Sequence, residues 1–190
     1  MNLPNKLTIL RVIMVPLFMI TILAPIPDVP SRIISAAIFI LAALTDLIDG
    51  KIARKHQLIT NFGKLMDPLA DKFMVFGAML AILVQYEYLR GVFVWVAAIV
   101  MFRELAVTSL RLLAAGSKSN VVIAAAWLGK VKTTTQVVCI ATILLEPVLL
   151  PFPPFAEWHL LSYITMAAMT VMTVWSGVDY AITYKEFLKD

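Results

Sequence analysis

Residues 46–71 read DLIDGKIARKHQLITNFGKLMDPLAD, and the placing of their four aspartates decides the fold. Asp46 and Asp49 are three positions apart; Asp67 and Asp71 are four apart. Either spacing puts both carboxylates on one face of an α-helix. The flanks are apolar, IISAAIFILAALT at 33–45 and FMVFGAMLAILV at 73–84. Each flank with its aspartates approaches the about 20 residues that a membrane-crossing helix needs. Two adjacent helices can then aim four carboxylates at one point.

The rest of the chain agrees with a membrane setting. Of its 190 residues 61% are hydrophobic and 15% charged, against about 45–50% and about 25% in soluble domains. Mean hydropathy is +0.90. The single cysteine, Cys139, lies in an apolar run, which excludes a disulfide framework. The net charge of +4 is modest, and no nucleic-acid partner is expected. Six segments have the length of a span, at about 8–26, 31–54, 65–86, 91–115, 121–145 and 158–184. Pro25, Pro27, Asp28 and Pro30, then Glu87 and Arg90, then residues 116–120, then Pro147, Pro151, Pro153 and Pro154 mark the breaks. Residues 1–24 have the layout of a signal peptide, with Lys6 and Arg11 ahead of an apolar run. No soluble domain follows, so they are expected to form the first span. The expected fold is all-α: one domain over 1–190, an integral membrane bundle of six transmembrane helices.

Charge placement orients it. Of sixteen Lys and Arg, only Arg32 and Arg90 fall on the outer connections if the N-terminus is cytoplasmic. Both termini are therefore expected in the cytoplasm, by the positive-inside rule. The outer halves of the spans are nearly free of charge. Asp46, Asp49, Asp67, Asp71, Lys72, Arg103, Glu104, Arg111, Lys130 and Lys132 crowd the inner halves. A charge at membrane depth costs about 3 kcal/mol unless paired or hydrated. One polar cavity open to the cytoplasm, walled by spans two to five, is the economical arrangement. Snorkelling suits Lys6, Lys118, Lys185 and Lys189, but aspartate side chains are too short for it.

Four clustered carboxylates repel one another unless neutralised. Two divalent cations would do so, and all-oxygen ligation suits Mg²⁺ or Mn²⁺. The bland alternative pairs the aspartates with Lys51, Arg54, Lys64 and Lys72. Gly50 and Gly63 leave room for a ligand to approach, or for helices to pack. Arg54, one turn past Gly50, has the chemistry to grip a phosphate.

The pattern D-x2-D-G-x2-A-R-x8-G-x3-D-x3-D is complete as Asp46, Asp49, Gly50, Ala53, Arg54, Gly63, Asp67 and Asp71. It resembles the signature of the CDP-alcohol phosphatidyltransferase family, whose six-helix topology matches the whole chain. The resemblance implies a bacterial inner-membrane enzyme, homodimeric, with its active site on the cytoplasmic side. It makes Asp46, Asp49 and Asp67 metal ligands, and Asp71 both a completing ligand and the general base. Gly50, Ala53 and Arg54 correspond to positions around the CDP moiety. Three further stretches resemble the members that use glycerol 3-phosphate: Leu3 to Arg11, Arg103 to Arg111 and Gly129 to Thr133. Ser109 departs from them, standing where glycine is expected.

The basic residues make independent sense. Arg103, Arg111, Lys130 and Lys132 outnumber the nearby acids, of which Glu104 and Asp179 are the candidates. A surplus of cations beside a metal site suits a phosphate-bearing acceptor. Their other reading is a positive-inside anchor against lipid headgroups. Asn5, Thr8 and Arg11 either help Gly63 cover the CDP-lipid or cap and snorkel at an interface. The expected reaction carries the phosphatidyl group of CDP-diacylglycerol to glycerol 3-phosphate. Rival readings keep the family but change the acceptor, or make the chain a cation or proton transporter.

Overall fold

A computed structural model describes residues 2–55, 60–116, 127–153 and 155–183. It describes their side chains except at 47–55, 61, 64, 112–116 and 156. The elements are α1 (Leu3–Leu23), α2 (Asp28–Lys55), α3 (Asn61–Gln85), α4 (Glu87–Gly116), α5 (Trp127–Leu149), α6 (Phe155–Trp158) and α7 (Leu160–Thr183). The described residues are all-helical, as their apolar runs predict. Five helices are long and apolar enough to cross a membrane: α1, α2 over Asp28–Asp46, α4 over Glu87–Arg111, α5 and α7. α3 is not among the five. Its first half carries Asp67, Asp71 and Lys72, and from Ala70 onward one face of it packs inside the bundle. Ala70, Met74, Val75, Ala78, Met79, Ala81 and Ile82 are all buried. α1 packs on α2 and α3, α5 on α7 and α2, and α4 on α7 and α3. A Cβ at Gly77 would come within 2.6 Å of Val15, so a glycine there lets α1 and α3 cross closely.

Trp95, Phe102 and Trp175 are each more than half exposed on the isolated chain, while Arg11, Arg32, Arg103, Lys132 and Glu146 are buried. Apolar outside and polar inside is the distribution expected where lipid is the solvent.

The end of the bundle remote from the aspartates is more polar than its sequence suggests. Arg32 lies fourteen positions before Asp46 on α2, about 21 Å along the helix. Rather than a surface residue of a connection, it is 4% exposed. It donates to Asp28 Oδ2 at 2.7 Å and to the Ile143 carbonyl at 3.1 Å, and lies 4.0 Å over the Tyr86 ring. The Ile143 bond explains a second difference. Pro147, expected to break the chain, sits inside α5. Proline lacks the N–H that would satisfy the carbonyl four residues earlier, and Arg32 supplies that bond instead.

One residue away, Glu146 accepts from Leu161 N at 2.7 Å, Ser162 N at 2.8 Å and Ser162 Oγ at 2.5 Å. It thus caps the start of α7 from α5. Glu146→Ala is expected to cost about 2–4 kcal/mol, because three donors lose a charged acceptor. The midpoint of thermal unfolding in detergent should fall by roughly 5–10 °C. An unchanged midpoint would mean that water serves α7's first turn equally well.

Candidate active site

α2, α3 and α1 meet at the opposite end. Asp67 and Asp71 project from the first turns of α3, and Asp46 from the second half of α2. Thr60 starts α3: as N-cap its hydroxyl accepts from Gly63 N at 3.0 Å and donates to Asn5 Oδ1 at 3.0 Å. A Cβ at Gly63 would stand 3.3 Å from both Asn5 Oδ1 and Thr60 Oγ1, and 3.6 Å from Asp67 Oδ2. Gly63 therefore lets α1 close onto the carboxylate end of α3.

α1 presents Asn5, Thr8 and Arg11 from one buried face. Thr8 donates to Asp67 Oδ1 at 2.5 Å. Arg11, fully enclosed, pairs with Asp46 at 2.8 Å. Thr8 and Arg11 thus each engage a carboxylate of another helix, while Asn5 meets Thr60 at the start of α3. Asp71 Oδ1 is buried without a hydrogen-bond partner among the described residues. The charges that reach Asp71 are those of Asp46, Lys132, Arg11 and Lys72.

Asp49, Gly50, Ala53 and Arg54 continue α2, but their side chains lie outside the described residues. Among the described residues no three acidic, His or Cys side chains gather as a ready metal-ligating group. Asp46 is engaged by Arg11 and Asp67 by Thr8. The donor type still fits a hard cation. The orphaned Asp71 oxygen is an atom that such an ion would satisfy.

The basic cluster adjoins the carboxylates, since Lys132 interacts electrostatically with Asp71, Lys72 and Arg103. Glu104 sits at its centre. It pairs with Lys132 and, at 3.5 Å, with Arg103, and accepts from Gln136 at 3.5 Å. Arg111 donates to the Tyr180 hydroxyl at 2.5 Å. The structure brings Arg103, Arg111 and Lys132 into this region, Arg103 and Lys132 buried and Arg111 exposed; Lys130 is exposed too. Thr60, Gln136 and Tyr180 escaped the sequence reading. A capping threonine three residues before Gly63 was a signal for the first. Nothing in the apolar stretch around Tyr180 marked it.

Comparison with known proteins bears on what this arrangement does. The profile of the CDP-alcohol phosphatidyltransferase family matches residues 1–175. A Bacillus subtilis (strain 168) protein named CDP-diacylglycerol--glycerol-3-phosphate 3-phosphatidyltransferase is 40% identical, over 99% of this chain and 97% of its own. A Haemophilus influenzae protein of the same name is 34% identical, over 100% of this chain and 96% of its own. A Mycobacterium tuberculosis protein named probable phosphatidylglycerophosphate synthase is 36% identical, over 94% of this chain and 79% of its own.

Proposed function

The chain belongs to the CDP-alcohol phosphatidyltransferase family, and from this we propose that it makes phosphatidylglycerophosphate and CMP from CDP-diacylglycerol and glycerol 3-phosphate. The observation that carries the choice of acceptor is the nearness of two charge types. A cationic cluster able to hold a phosphate monoester adjoins Asp71, whose buried oxygen has no partner among the described residues.

In the proposed reaction the acceptor's primary hydroxyl oxygen attacks the lipid-side phosphorus as the bond to CMP breaks. Asp71 takes the hydroxyl proton, from within about 2.6–3.2 Å in the productive complex. Asp46, Asp49, Asp67 and Asp71 would hold two divalent cations, Mg²⁺ or Mn²⁺, which when bound would supply charge stabilisation at the pyrophosphate. Thr8 and Arg11 hold Asp67 and Asp46 in position for this. Gly50, Ala53 and Arg54 border the CDP moiety. Arg103, Arg111 and Lys132 bind the acceptor phosphate, with Lys130 at its edge.

The reading includes a single domain over 1–190, six spans with α3 as the third, and a homodimer. It turns the carboxylate end and both termini to the cytoplasm of a bacterial inner membrane. The bias of Lys and Arg supports that orientation. A transporter would need a polar path across the bundle. Phe18, Phe39, Met79, Ile140 and Met166 instead pack as apolar core.

The test offers purified protein labelled CDP-diacylglycerol with glycerol 3-phosphate, phosphatidylglycerol, serine or inositol phosphate in turn. Turnover with glycerol 3-phosphate alone is expected. Preference for another acceptor overturns the assignment. In the same assay, Arg111→Ala or Lys132→Ala should lower kcat/KM for glycerol 3-phosphate by about ten- to a hundred-fold, the worth of one charge-assisted contact. The KM for CDP-diacylglycerol should change far less. Equal losses for both substrates would make the residue a support of the fold.

A further inference from the structure

Arg103 and Arg111 are eight positions apart on α4, a separation of about 12 Å along a helix. Helix geometry alone does not bring their guanidiniums together. One residue of another helix lies against both. Tyr180 of α7 is 2% exposed. The Arg111 guanidinium carbon lies 5.1 Å from its ring centroid and that of Arg103 5.7 Å. Both distances fall within the range of cation–π attraction, and the hydroxyl accepts from Arg111 at 2.5 Å.

The same face of α7 also seats the Arg103 stem. Gly177 is one turn before Tyr180, and a Cβ there would stand 3.1 Å from Arg103 Cγ. We infer that α7, through Tyr180 with Gly177 beside it, sets the acceptor-phosphate subsite by converging the Arg103 and Arg111 guanidiniums; Tyr180 is a positioning residue for the acceptor.

The chemistry of the anchor matters. A carboxylate in place of the phenol would neutralise the arginines and compete with the incoming phosphate. A neutral hydroxyl and ring orient them and leave their charge available. Arg111 pairs with no carboxylate among the described residues, and Arg103 Nε is buried without a hydrogen-bond partner there. Glu104 already balances Lys132 and part of Arg103. The charge left over suits a phosphate monoester dianion.

This inference rests on the reading of the cationic cluster as the acceptor subsite, and the test separates the two. KM for each substrate and the inhibition constant of inorganic phosphate against glycerol 3-phosphate are measured for wild type, Tyr180→Phe, Gly177→Ala, Arg111→Ala and the Arg111→Ala/Tyr180→Phe double variant. Tyr180→Phe keeps the ring and loses the hydroxyl. It should raise KM for glycerol 3-phosphate about tenfold and weaken phosphate inhibition in proportion. The KM for CDP-diacylglycerol should stay within about twofold. The double variant should be no worse than Arg111→Ala, because the hydroxyl acts through that arginine. Additive losses, or equal shifts for both substrates, overturn the positioning role. A rise in acceptor KM for Arg111→Ala but not for Tyr180→Phe overturns it while the subsite stands. No rise for Arg111→Ala overturns the subsite itself. Should Tyr180→Phe fail to fold, Gly177→Ala reads the same device from Arg103, and an unchanged acceptor KM there overturns it.

Discussion

Asp67→Asn is expected to leave no measurable turnover at ordinary metal concentrations, with partial recovery as Mg²⁺ or Mn²⁺ is raised. An amide carries no charge and is a weaker ligand for a hard cation than a carboxylate. Asp46→Asn and Asp49→Asn should behave alike, but Asp67 is the cleaner site. Thr8 donates its hydroxyl to Asp67 Oδ1, and asparagine keeps an oxygen there to accept it. Asp46 instead compensates Arg11, whose side chain is fully buried. Its amide would weaken that compensation and strain the fold as well as the ligand set. Metal occupancy, thermal midpoint and turnover should therefore be measured on one preparation of each variant. Full activity of Asp67→Asn without added metal would remove it from the ligand set. Lost activity with a collapsed midpoint would make it structural.

Asp71→Asn should separate chemistry from binding. Its turnover number is expected to fall by about 10²–10⁴, the usual worth of a positioned proton acceptor, while CDP-diacylglycerol still binds. Asp71 Oδ1 makes no hydrogen bond among the described residues, so the amide breaks none that the structure records at that atom. Three aspartates remain to hold at least one cation. Donor binding and single-turnover rate, measured together, decide the matter. Retained binding with slow chemistry supports the base. Joint loss of donor binding and metal makes Asp71 chiefly a ligand, and the proton must then leave through water or the acceptor's phosphate.

Interactions confined to one helix were legible in the sequence. The helices built on apolar runs, the i,i+4 placing of Asp67 and Asp71 on α3 and the basic residues of α4 and α5 could be read from spacing, while the Asp49 side chain lies outside the described residues. The family signature could be read there as well. Glu104 could be named as an acid near the cations, but not as the centre on which Lys132 and Arg103 converge.

What the sequence by itself determined is the chemistry available: carboxylates of the kind that suit a metal or a proton, cations of the kind that suit a phosphate, and apolar helices that suit a membrane. The tertiary structure alone decided the partners. Thr8 meets Asp67, Thr60 meets Asn5, Arg111 meets Tyr180, and Arg32 meets a carbonyl 111 positions away. The physical reason is that periodicity records which residues share a face of one helix. It says nothing about which face of a distant helix packs against them. Arg32 illustrates this, since its charge and position suited a surface connection. The Ile143 carbonyl that Pro147 leaves without its N–H, brought alongside by packing, joins Asp28 and Tyr86 in giving that guanidinium its buried place.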